Sequence, residues 1–208
     1  MIKKYLIAAL VLPLVCGGAT PGTRIELTAG EPTGSKWSSL DVSVLGFWLG
    51  QARKEAFATA RNHSGELWDH SSAKLQRIGD CSIASCRLVV LQIYGGAKLD
   101  FDAAGLLSGI RIDSSPSLSS AVNAARQVKG TPGELLSNYS NSLRLELFGK
   151  AERTVDDPPI DENFITYFYD SRGISIRVQR ATDQKGPYGP PLIYLCLYRP
   201  NGVPCKQW

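Results

Sequence analysis

Two histidines and a glutamate, His63, Glu66 and His70, lie in one polar stretch from Asn62 to Ser72. At this i, i+3, i+7 spacing a helix places all three on one face, where two imidazoles and a carboxylate are the donors that hold zinc. The plainer interpretation is a polar surface insertion, and on it no metal or other cofactor is expected. The same stretch contains Asp69-His70-Ser71, the residue types of an acyl-transfer triad. Adjacent side chains rarely meet productively, and no G-x-S-x-G elbow presents a nucleophile. P-loop, G-x-G-x-x-G, H-E-x-x-H and EF-hand patterns are missing as well. No catalytic residue is therefore assigned. Asp156, Asp157, Asp161 and Glu162 form an acidic loop able to meet calcium or a basic partner. Tyr167, Phe168 and Tyr169 are consecutive, so on a strand at least one turns away from the covered side. Trp37, Phe47, Trp48 and Trp68 add aromatic mass earlier in the chain. Trp68, Tyr167, Tyr169, Asp156 and Asp157 are the binding candidates, as aromatic anchors and loop charges of a recognition surface.

The cysteines locate the chain. Lys3 and Lys4 precede an apolar run, Tyr5 to Val15, too short to span a bilayer as an ordinary helix. Gly17, Gly18 and Ala19 suit signal peptidase, so residues 1–19 read as a bacterial signal peptide cut after Ala19. The competing reading is an outer-membrane lipoprotein carrying lipid on Cys16, although Pro13-Leu14-Val15 departs from a lipobox. The remaining cysteines, Cys81, Cys86, Cys196 and Cys205, are even in number in an exported chain, so disulfides are the default. Of three possible pairings, Cys81–Cys86 with Cys196–Cys205 closes short local loops at strand ends. A zinc site would want C-x-x-C spacing, which is lacking. The expected compartment is the periplasm or the exterior, and no further stretch reaches transmembrane length. The full chain has 208 residues and a net charge of +4. Without Lys3 and Lys4 the balance is near neutral, and no basic cluster marks a nucleic-acid partner.

The elements that must position these residues come in a repeated order. Leu75-Gln76-Arg77-Ile78-Gly79-Asp80 is echoed by Leu145-Glu146-Leu147-Phe148-Gly149-Lys150, and Phe101-Asp102-Ala103-Ala104-Gly105-Leu106 by Tyr169-Asp170-Ser171-Arg172-Gly173-Ile174. The offset is similar in both, so one unit occurs twice. Residues 20–39 are expected to be a flexible leader, with Ile25-Glu26-Leu27 available as an edge strand. Unit one, 40–115, should hold a helix over Gln51 to Arg61 and a short second helix over Ala73 to Ile78. Strands over Arg87 to Tyr94, Ala97 to Asp102 and Leu106 to Ile112 follow. Unit two, 116–208, should hold a helix over Leu118 to Val128 and a helix capped by Thr131, with Pro132 and Glu134 in its first turn. A short helical turn over Leu143 to Phe148 ends at Gly149, and strands run over Phe164 to Tyr169, Gly173 to Gln179 and Leu192 to Tyr198. The expected class is α+β: two tandem helix-turn-helix plus antiparallel meander units, each a two-layer sandwich.

This order, the Leu-x-x-[Ile/Phe]-Gly helix ends at Gly79 and Gly149, and the aromatic-Asp-x-x-Gly turns at Asp102–Gly105 and Asp170–Gly173 resemble the fold shared by β-lactamase-inhibitor proteins and SmpA/OmlA-type envelope lipoproteins. The resemblance covers about residues 40–199 and rests on structural motifs. It implies a non-catalytic surface that binds another protein through the sheet, as an inhibitor does. The lipoproteins normally have one unit and a clean lipidation cysteine, and this chain departs on both counts. The expected function is thus an exported protein-binding module. An envelope-assembly accessory and, behind it, a metal-dependent hydrolase are the alternatives. Partner identity and oligomeric state are not written in the sequence.

Overall fold

Alternating apolar residues build the centre of the molecule. In a computed structural model, residues 24–27, 36–61, 67–69, 76–77, 90–93, 97–114, 128–156, 164–180 and 192–205 are described. Strands β1 (Ile25–Glu26) and β2 (Val42–Ser43) pair in parallel beside the main sheet. Helix α1 is Arg53–Arg61, and β3 (Leu67–Asp69), β4 (Gln76–Arg77), β5 (Val90–Ile93), β6 (Ala97–Phe101) and β7 (Leu107–Asp113) follow. Helices α2 (Pro132–Ser137) and α3 (Asn141–Phe148) precede β8 (Arg153–Asp156), β9 (Phe164–Tyr169), β10 (Ile174–Gln179) and β11 (Ile193–Tyr198). Among the described residues, β3 to β11 form one nine-stranded sheet in the order β4-β3-β5-β6-β7-β11-β10-β9-β8. Its pairings are all antiparallel.

This corrects the expected class. The described chain is mostly β, with one continuous sheet in place of two separate helix-turn-helix plus meander sandwiches. One local reading contributes to the difference. Gln76–Arg77, read as part of a short helix, are extended and pair with Trp68–Asp69. The segment before α2, read as a helix over Leu118 to Val128, lies outside the described residues except at Val128. The sheet also runs unbroken across the expected boundary at 115/116, because β7 pairs with β11 from Gly109↔Tyr198 to Asp113↔Tyr194. An apolar hexamer and a polar one give similar helix and strand scores when each is short, and pairing with a neighbour then decides between them.

One face of the sheet carries Leu99, Phe101, Ile110, Ile112, Ile174, Ile176, Val178, Ile193, Leu195 and Leu197, all buried in the same core as Phe57, Leu135, Leu147 and Phe148. The helices therefore cover this face, as period-two alternation with one apolar side requires. Thr131 caps α2, its hydroxyl accepting from the Glu134 amide at 3.2 Å. The Glu134 carboxylate reaches back to the Gly130 amide, one residue before the usual partner in a capping box. Ser140 caps α3 in the same way, at 3.1 Å from the Leu143 amide, and Gly149 ends it at φ 76°.

Parts of the expected leader pack on the fold. Leu27 and Trp37 are buried, and Trp37 lies 5.6 Å, ring to ring, from Phe148. The Ser39 amide donates to the Arg172 carbonyl at 2.9 Å, and its hydroxyl donates to the Tyr198 carbonyl at 2.5 Å. Arg172 completes the clamp, donating to the carbonyls of Trp37 at 2.7 Å and Phe148 at 2.8 Å.

Candidate functional site

The second face of the sheet, opposite the helices, is where polar residues alternate with the core. Register fixes two neighbouring cross-strand rows there. One runs Lys98, Arg111, Cys196, Ser175, Phe168, Arg153 across β6, β7, β11, β10, β9 and β8. The other runs Asp113, Tyr194, Arg177, Thr166, Val155 across β7 to β8. A pocket of about 220 Å³ sits on these rows, lined by Arg111, Arg153, Arg177, Thr166, Ser175 and Tyr194 with Phe168 and the Cys196–Cys205 pair.

Each guanidinium is held in place. Arg111 meets Asp100 at 3.1 Å and is 6% exposed as a residue. Arg153 donates through Nε to Asp170 at 2.5 Å and through one Nη at 3.2 Å, and lies 3.5 Å over the Phe168 ring. Arg177 lies 4.1 Å over the Phe164 ring. Stacking of this kind keeps the planar fork of arginine oriented at low entropic cost. Thr166 is 4% exposed, and its hydroxyl has no hydrogen-bond partner among the described residues. Lys98 faces Arg111 directly across the ladder. Burial first, then Arg111, pulls its pKa down, while Asp113 and Asp100 oppose the fall.

The C-terminal tail forms one wall. Cys205 is bonded to Cys196, one of the two expected local pairs. The bond draws Val203-Pro204-Cys205 across the face. Gly109 makes room for it: a Cβ there would lie 3.3 Å from the Cys205 sulfur and 3.2 Å from Asp100 Oδ2. Across the tail a second pocket of about 340 Å³ has the opposite character, with Asp100, Asp102 and Arg199 among its lining residues.

At one end of the sheet two Asp-x-x-Gly turns flank the exit of β11. Asp102 Oδ1 accepts from the amides of Ala104 at 3.0 Å and Leu106 at 2.9 Å. Gly105 has φ 76° and Gly173 has φ 68°. Arg199 reaches Asp102 at 3.4 Å, and the Asn201 amide donates to the Asp170 carbonyl at 2.7 Å. The Tyr198 hydroxyl donates to Asp170 at 2.6 Å, and burial first, then Asp170, pushes its pKa well above the usual phenol value.

Of the sequence-based candidates, Tyr167, Tyr169 and Asp156 are not among the residues lining the arginine-lined pocket. Tyr169 is 2% exposed on the helix side, where Arg144 donates to its hydroxyl at 2.5 Å. Tyr167 is half-buried on that same side, with the Arg144 guanidinium 3.9 Å over its ring. Tyr139 beside it has its pKa pushed up to about 12, by burial first and then by Tyr167. Tyr167 and Tyr169 thus anchor α3 to the sheet through Arg144. Phe168, passed over among the three consecutive aromatics, is the one on the second face. Asp156 stands exposed on β8 and pairs with Arg180 at 2.6 Å. Trp68 lies on β3, paired with Gln92 and Arg77. Asp157, His63, Glu66, His70, Cys81 and Cys86 lie outside the described residues. Leu67–Asp69, between Glu66 and His70 in the sequence, are extended. Among the described residues no group of three His, Cys, Asp or Glu side chains is placed to hold a metal, and no helix is long and apolar enough to cross a membrane.

The arginines were legible in one respect. Ile174-Ser175-Ile176-Arg177-Val178-Gln179 and Ile110-Arg111-Ile112-Asp113 alternate strictly, which puts Ser175, Arg177, Arg111 and Asp113 opposite the core. Compared with family models, with curated proteins and with solved structures, the chain matches none.

Proposed function

We propose that the protein is an exported, non-catalytic binding module that engages another protein through the second face of its sheet. The observation that carries this reading is the pair of cross-strand rows whose arginines, hydroxyls and Tyr194 converge on one pocket. A sheet face that only met solvent would need no stacked guanidiniums and no buried hydroxyl at its centre. The rows rest on the most regular part of the fold, which suits a preorganised recognition surface. Export is supported by the Lys3-Lys4 leader and by the Cys196–Cys205 bond, which fits an oxidising compartment.

Site-specific photo-crosslinking in the exporting cell tests this. A benzophenone side chain replacing Tyr194 should give a discrete protein adduct, and one replacing Leu145, exposed on α3, should not. Adducts from Leu145 alone, or from neither position, sink the proposal. Intact mass of the exported protein tests the compartment: a chain starting near Thr20 is expected, and a diacylated Cys16 would place the binding surface on a membrane.

A further inference from the structure

We propose that the Cys196–Cys205 bond is a redox-operated latch: when oxidised it straps the tail across the second face of the sheet, and a dithiol donor opens it. The inference rests on the protein-binding reading and adds the regulation of that surface. Pro204 and Cys205 line both pockets of this face. They are the wall between the arginine pocket, with Arg111, Arg153 and Arg177, and the aspartate pocket, with Asp100 and Asp102. Cys196 stands in the middle of a cross-strand row, between Arg111 of β7 and Ser175 of β10, so the bond fastens the tail to the centre of the face. With the tail lifted, the two pockets become one groove over β7, β11 and β10. A partner meets a divided face while the bond is closed and a continuous one when it is open.

Little else holds the tail down. After β11 the Asn201 amide donates to the Asp170 carbonyl at 2.7 Å and the Gly202 amide to the Arg199 carbonyl at 2.8 Å. Beyond Gly202, among the described residues, Val203, Pro204 and Cys205 take part in no backbone hydrogen bond. Pro204 has no amide hydrogen to give. Val203 is 84% exposed, so its side chain removes little apolar surface from water. The bond is also reachable from solvent at one end. Cys196 is buried, whereas Cys205 is only half-buried and lines both pockets. Exposed disulfides are the more readily reduced ones. A thiolate of the donor attacks Cys205 Sγ, the S–S bond breaks, and Cys196 Sγ departs as a thiolate that takes up a proton. The donor's second thiolate then attacks the donor sulfur of this mixed disulfide, Cys205 is released as a thiol, and the donor ends as its own disulfide. Two electrons and two protons pass from the dithiol to the cysteine pair. In an oxidising compartment the closed state is the default, and opening waits on such a donor.

The test uses the full exported protein under native conditions, with dithiothreitol as the dithiol. Free thiols are trapped by alkylation and mapped by peptide mass, so that Cys196 and Cys205 are read apart from Cys81 and Cys86. Both Cys196 and Cys205 should become alkylated while the thermal transition stays cooperative. Amides of β7, β10, β11 and the tail should shift on reduction, those of α2 and α3 should not, and oxidised glutathione should restore the first spectrum. The double variant Cys196→Ser, Cys205→Ser should show the opened spectrum at these amides without any reductant. In the exporting cell, benzophenone at position 194 should give adducts in about fivefold higher yield on that double variant than on the parent, the lower end of ordinary coupling between two states. Thiols trapped only after denaturation, amides unmoved by reduction, or adducts of equal yield on variant and parent overturn the latch. Loss of the cooperative transition on reduction overturns it as well, since the bond would then be a staple of the fold. Reversible opening with no adduct on either protein defeats the protein partner and leaves the latch standing.

Discussion

At Gly173 the backbone takes φ 68°, and a Cβ would overlap the Tyr198 carbonyl oxygen and crowd Ser39 Oγ. Gly173→Ala therefore combines backbone strain with a steric clash. A loss of about 2 kcal/mol or more is expected, read as a lower urea midpoint. Asp170, three residues earlier, has its carboxyl held below the usual range, first by the Arg153 hydrogen bond and further by the Tyr198 hydroxyl, against the opposing effect of burial. Its folded pKa lies below its unfolded one. Its stabilisation is then fully present above the unfolded-state value of ~3.9 and is lost as pH falls through the folded value. Asp170→Asn should narrow the gap in stability between about pH 6 and about pH 3 relative to the parent; an equal gap in both proteins would remove Asp170 from the acid response. The two Asp-x-x-Gly turns were readable because a left-handed glycine and an Asx turn leave a local signature. Arg177 as a site residue was not, since a lone arginine on a strand shows its meaning only beside its cross-strand neighbours.

Among the elements, the tail that crosses the second face depends on one bond. Cys196 and Cys205 are separated by nine positions, and closing so short a loop is worth about 2–3 kcal/mol in the chain-entropy account. Cys205→Ala should cost about that much in chemical denaturation. It should also let Val203 and Pro204 leave the sheet, joining the arginine pocket to the aspartate pocket. Faster hydrogen exchange on the second face of β7 and β11, with β9 unchanged, is the expected readout, and unaltered exchange at both would show that the tail stays seated without the bond. The packed leader belongs at this scale too. Trp37 sits against Phe148 under Arg172, and Trp37→Ala should cost roughly 3–5 kcal/mol as a buried aromatic lost to a cavity. A fall under 1 kcal/mol would mean the segment adds little to the fold. Composition misled here: Gly, Pro, Ser and Thr dominate residues 20–39, yet the single tryptophan decides where residues 36–39 go. Helix α2 and the hairpin β9–β10 were legible because capping and alternation are local. The short helix at Ala73 to Ile78 was misread because strand partners supplied from elsewhere outweighed its helical pattern.

For the whole molecule, the shared core and the β7–β11 seam predict that the described halves unfold together. Leu197 is fully buried at the centre of the sheet, and Leu197→Ala should lower stability by about 2–5 kcal/mol within a single transition. Two resolved transitions in calorimetry would instead restore two independent units. Sequence could show that strands follow helices in each half, but not that their sheets merge, because nothing local marks the pairing of residues some eighty positions apart.

The position of β11 also imposes an order in time. It is the last of the described strands in chain order, yet it lies between β7 and β10. A chain emerging from its N-terminal end presents both of those edges unpaired until Ile193–Tyr198 arrives. Long-range pairing of this kind is slow to form. Until then the β7 and β10 edges are open to strands of other chains, and Ile193–Tyr198 closes both at once.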